Sequence, residues 1–128
     1  MNAHSLAIQG YSQASRPTRT SRSVEYELFA RISHRLRDAA MSKGPDAHPR
    51  LVEALSDNAR LWSTLAVDVA DDGNQLPEQL RAQIFYLAEY VQLQTSKVLN
   101  KKGRIGPLLE VNAAILRGLR QDRKGTTS

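Results

Sequence analysis

An all-α fold, a small bundle of four main helices with a flexible or locally helical N-terminal segment, is what this 128-residue sequence predicts. Three observations carry that prediction. Apolar residues recur at spacings of three and four in four successive segments, the pattern of helices that each bury one stripe. Gly and Pro fall in clusters between those segments. No segment shows the Val/Ile/Thr-rich alternation of a strand.

The chain divides into a basic N-terminal segment, 1–23, a helical domain, 24–121, and a disordered C-terminal tail, 122–128. Before Ser23, Ser, Thr, Gln and Arg surround Pro17, and the one apolar patch, Leu6, Ala7, Ile8 and Tyr11, fits at most a brief helix. The first helix is expected over 24–43, with Ser23 as N-cap and Glu25 and Glu27 at the positive end of its dipole. Its stripe is Val24, Leu28, Phe29, Ile32, Leu36 and Ala40, and Gly44-Pro45 ends it.

The second helix, 49–71, starts at Pro49, whose missing N–H costs nothing in a first turn. Leu51, Leu55, Asn58, Trp62, Leu65 and Val69 follow one another at 4, 3, 4, 3, 4, a heptad-like seam with one polar member. Gly73 is the expected left-handed C-cap. The third helix, 77–101, repeats the same spacing through Leu80, Ile84, Leu87, Val91, Gln94 and Val98, and Gly103 closes it. The fourth, 107–121, places Leu108, Asn112, Ile115 and Leu119 on one face. Loops of a few residues between such helices favour antiparallel neighbours. The expected core holds Leu55, Trp62, Leu65, Leu80, Ile84, Leu87, Val91 and Ile115.

Composition narrows the function. Hydrophobic residues are 41% and charged residues 24%, so most of the chain is expected to pack. Without cysteine there is no disulfide and no thiolate nucleophile. The opening residues lack a basic start followed by an apolar run, and no window reaches the length needed to span a bilayer. A cytoplasmic protein without membrane insertion is the expectation. The net charge of +5 sits mostly at the ends, around Arg16, Arg19 and Arg22 and again around Arg117, Arg120, Arg123 and Lys124. A nucleic-acid domain usually gathers its cations on one folded face with aromatics between them. The balanced middle therefore disfavours nucleic acid.

Catalytic and cofactor chemistry has no foothold in the pattern, so neither an enzyme nor a cofactor is expected. His4, His34 and His48 have no second His or Cys at i+3 or i+4, which argues against a metal site. Aligning Gly73 to the sixth position of a calcium loop puts Ala70 at the third and Gln79 at the twelfth, where oxygen ligands are required.

Two sets of residues stand out instead. Asn58, Gln94 and Asn112 are polar members of apolar stripes, which fits a register-setting hydrogen bond in the core or a direct partner contact. Tyr86, Tyr90 and Leu93 widen the third helix's apolar face at spacings of four and three. Either a further helix of the chain covers them or they line a groove for a partner's amphipathic helix.

Taken together, the run Glu53-Ala54-Leu55-Ser56-Asp57-Asn58-Ala59-Arg60-Leu61-Trp62, then Asp68, then Asn74-Gln75-Leu76-Pro77-Glu78-Gln79-Leu80-Arg81-Ala82-Gln83, resembles the bacterial flagellar biosynthesis regulator FlaF family. Tyr11, Glu25 to Phe29, Asn112 and Arg117-Gly118-Leu119 extend the resemblance over about residues 8 to 120. Leu116 and Tyr90 replace the Met and Phe common in the family, with apolar bulk kept.

The resemblance implies a small helical cytoplasmic protein needed for flagellin production or export. Its implied partner is flagellin, and it implies a functional link to FlbT, a regulator of flagellin messenger RNA. Asn58, Trp62, Asn74, Leu76, Pro77, Arg81, Asn112 and Gly118 are the matching motif positions, read as structural, while Tyr86, Tyr90 and Leu93 are the partner-binding candidates. A flagellin-binding secretion chaperone is thus the leading expectation, with a possible homodimer. An RNA-binding regulator using the basic flanks is the alternative.

Overall fold

The computed structural model describes the backbone of residues 21–127 and the side chains of residues 26–120. Most of the expected N-terminal segment, including Arg16 and Arg19, lies outside these residues. Four helices make up the fold: α1 (Ser21–Met41), α2 (Ala47–Ala70), α3 (Glu78–Leu99) and α4 (Gly106–Thr127). There is no strand among the described residues.

The helix boundaries differ from the sequence reading in instructive ways. α1 is already helical at Ser21, so Ser23 lies inside the helix and does not cap it. At its far end Gly44 takes the left-handed conformation, φ 100°, in the turn before α2. Gly73 does not cap α2. The C-cap is Asp71, in extended conformation at ψ 132°, which turns the chain out of the helix without a left-handed residue. α4 runs to Thr127, past the expected end at 121 and through most of the stretch assigned to a tail. No proline follows Pro107, so nothing in the sequence breaks the helical ladder there.

The end of α3 is a Schellman motif. Lys102 N–H donates to Lys97 C=O at 2.7 Å and Lys101 N–H to Val98 C=O at 3.0 Å. Lys101 takes the left-handed position, φ 60°, usually held by glycine. Gly103 has a different task. A Cβ there would lie 2.8 Å from Lys97 Cβ and 3.1 Å from Gln94 Nε2, so its bare Cα lets the turn close over the helix end. Gln94 uses that closeness to donate to Arg104 C=O at 2.8 Å.

Packing follows the four stripes. α2 lies against both α1 and α3, and α4 against both α1 and α3, while the pairs α1/α3 and α2/α4 make no close backbone approach. The helices therefore stand around a square, with α2 and α4 on one diagonal. Leu55, Trp62, Leu65, Ile84, Val91 and Ile115 are buried as the spacing predicts, and Leu80 and Leu87 pack partly buried against them. Phe29, Leu36, Leu108 and Leu119 complete the centre. The Phe29 and Trp62 rings meet edge to face, with centroids 5.6 Å apart.

Candidate functional site

Three groups of residues concern function. The first is a buried amide network. Asn58 and Trp62 are one turn apart on α2, and Asn112 faces them from α4 across the diagonal. Trp62 Nε1–H donates to Asn112 Oδ1 at 2.9 Å. Asn112 Nδ2 donates to Asn58 Oδ1 at 2.7 Å and to Ser33 Oγ, on α1, at 2.9 Å.

An indole N–H can only donate, so Trp62 dictates which end of the Asn112 amide faces it. That choice turns Asn112 Nδ2 toward Asn58 and Ser33 and fixes the amide of Asn58 in turn. Both hydrogens of Asn112 Nδ2 are used, while Asn58 Nδ2 is buried without a partner among the described residues. This network fastens three helices at one point in the core. Asn58 and Asn112 thus bond one another in the core, and Gln94 likewise bonds within the chain.

The second group is the corner between α2 and α3. Asn74 Nδ2 donates to Asp68 C=O at 3.1 Å, and its Oδ1 accepts from Leu76 N–H at 3.0 Å. Arg81 Nε donates to Val69 C=O at 3.1 Å. Both side chains thus bond carbonyls of the last turn of α2, where Asp68 C=O also accepts from Asp71 N–H at 3.2 Å. Pro77 is the N-cap residue of α3, at ψ 143°, and Leu76 packs against the core. Four matching motif positions therefore build one turn. Gly118 is different: a Cβ there would meet nothing within 4 Å, so no neighbour in this chain demands glycine.

The third group is the outer face of α3. Tyr86 is 73% exposed, Tyr90 37% and Leu93 64%. They lie opposite Ile84, Ala88, Val91 and Thr95, which are buried. No described helix covers them, so the covering alternative fails within residues 26–120, and they form an open face rather than a recessed groove. Phe85, 46% exposed, flanks the same stretch. Sequence reasoning passed over it because it falls off both stripes.

Among the described residues no three His, Asp or Glu side chains gather as metal ligands; His34 meets only Asp38, at 3.2 Å on the surface. No helix of the described residues is long and apolar enough to cross a membrane. No curated protein and no solved structure matches the chain. The sequence model of the flagellar protein FlaF, however, matches residues 7–119. That match takes in the amide network, the α2/α3 corner and the outer face of α3 alike, and the chain belongs to the FlaF family of flagellar proteins.

Proposed function

We propose that the protein binds flagellin in the cytoplasm and serves as a regulator and secretion chaperone for flagellin production, export and assembly. The observation that supports this reading is the open apolar face of α3 at Tyr86, Tyr90 and Leu93, in a chain of a flagellar family. An amphipathic segment lacking its assembly partners exposes an apolar stripe, and such a segment folds as a helix when a matching stripe receives it. Tyrosine suits the task, because it offers large area at low entropy cost and keeps its hydroxyl in water. A functional link to FlbT belongs to the same proposal.

Three such side chains contribute about 1.5–3 kcal/mol each when fully buried. Ordering a disordered partner costs about 2–5 kcal/mol of this, so affinity near the micromolar range needs further contacts, which Phe85 beside the stripe is placed to supply.

Calorimetric titration of the full chain with purified flagellin tests the reading. Tyr86→Ala/Tyr90→Ala should weaken binding at least about tenfold with an unchanged melting temperature, since a loss of about 1.4 kcal/mol already does so. Arg16→Ala/Arg19→Ala/Arg22→Ala should leave the affinity as it is. Loss of binding in the arginine variant with retention in the tyrosine variant overturns the assignment. Capture of RNA in place of flagellin, collapsing as salt rises, would favour the basic flanks.

A further inference from the structure

An open cleft of about 300 Å³ lies between α1 and α4. Because α1 does not approach α3, the cleft and the outer face of α3 are separate surfaces. Arg37 reaches it from α1 and Arg117 and Arg120 from α4. Among the described residues no carboxylate lines it. None of the three guanidinium groups takes part in an ion pair among the described residues. Arg117 and Arg120, one turn apart, repel one another, and no ion pair among the described residues compensates that repulsion.

The floor of the cleft is polar and held in place. Ser33 and Asn112 line it, and Ser33 Oγ accepts the 2.9 Å bond from Asn112 Nδ2. Through Asn112 it is tied to the buried Trp62. The hydroxyls of Ser42 and Thr64 donate to the carbonyl four residues back, whereas no acceptor among the described residues takes the Ser33 hydrogen. One hydroxyl donor and three guanidinium groups thus line one recess. Such donors recognise an oxyanion, and guanidinium groups match its planar carboxylate form in particular.

The walls decide whose oxyanion it is. Leu109, Ala113 and Leu116 give the cleft an apolar side, and no aromatic side chain among the described residues lines it. Single-stranded RNA is held by bases stacked on aromatic rings along a basic track. Among the described residues three cations line one short recess beside aliphatic surface, which complements a protein helix bearing carboxylates next to apolar residues.

We propose that this cleft is a second docking site, for an acidic amphipathic segment of a partner protein. Its carboxylates pair with Arg37, Arg117 and Arg120, and its apolar side chains rest on Leu109, Ala113 and Leu116. This proposal does not depend on what binds α3. If both surfaces are used, the chain can hold two partners at once.

The test is a titration of the full chain with a synthetic amphipathic peptide carrying glutamates and leucines on one face, followed through the arginine Nε–H resonances. The expected result is selective perturbation of Arg37, Arg117 and Arg120. The dissociation constant should rise at least tenfold in Arg37→Ala/Arg117→Ala/Arg120→Ala and should not change in Tyr86→Ala/Tyr90→Ala. The three arginines are exposed, so the triple variant should keep its melting temperature. A version of the peptide with lysine in place of glutamate gives a second arm on the unmodified chain and should not bind. Equal binding of the two peptides, equal binding by the triple variant, or binding of an oligouridylate at the cleft without binding of the glutamate peptide each overturns the proposal.

Discussion

Replacing Asn112 with alanine should destabilise the fold far more than replacing Asn58, although both changes remove the same atoms from almost fully buried sites. Loss of Asn112 strands the indole N–H of Trp62 and the Oδ1 of Asn58, each at about 1–3 kcal/mol. Ser33 is only partly buried and can turn to water. Loss of Asn58 strands one hydrogen of Asn112, but it also abolishes the unpartnered Nδ2 that Asn58 carries in the folded state. Those two effects are of similar size and opposite sign.

The cavity terms of the two variants are alike and cancel in the comparison. Asn112→Ala should therefore cost about 2–6 kcal/mol more than Asn58→Ala. For a chain of this size that is roughly 8–24 °C in melting temperature, at about 4 °C per kcal/mol. Urea unfolding followed by far-ultraviolet circular dichroism is the assay, because the substitution itself alters the surroundings of the single tryptophan. The double variant should cost about 2–6 kcal/mol less than the sum of the single ones, since the Asn58 oxygen that Asn112→Ala strands and the Asn112 hydrogen that Asn58→Ala strands are both then gone. Equal losses, or a larger loss for Asn58→Ala, would refute the directional reading of the network.

Three further outcomes follow from the turns and helix ends. Lys101→Gly should raise stability by about 0.5–1 kcal/mol, because glycine takes the left-handed position of the Schellman motif without strain, and a lower denaturation midpoint would contradict the motif. Gly103→Ala and Gly118→Ala should act in opposite directions under the same melting assay. The first forces a Cβ against Lys97 and costs about 1–3 kcal/mol, while the second meets open space and gains up to about 1 kcal/mol of helix propensity. Arg81→Ala should cost about 1 kcal/mol by uncovering the Val69 carbonyl, and hydrogen exchange should locate the loosening in the last turn of α2.

What was legible in the sequence is what short-range chemistry controls. The four helices, the buried Leu55, Trp62, Ile84 and Val91, and the polar members Asn58 and Asn112 all follow from residues within a turn or two of one another. Hydrophobic spacing and helix-breaking residues are local properties, so reading them requires no knowledge of neighbouring helices. Helix ends were less legible. Side chains from Asn74 and Arg81, beyond the helix, complete the end of α2, and a lysine, not Gly103, takes the left-handed position after α3.

Tertiary structure alone decided which stripes meet. Trp62 and Asn112 are 50 positions apart, and nothing local to either specifies that they share a proton across the diagonal of the bundle. The same holds for Tyr86, Tyr90 and Leu93. Their spacing marks an apolar face, but only the arrangement around the square, with α3 packed between α2 and α4, determines that no described helix covers that face. Helix formation depends on hydrogen bonds four residues long, whereas the rotation and pairing of helices depend on the summed fit of side chains far apart in the chain.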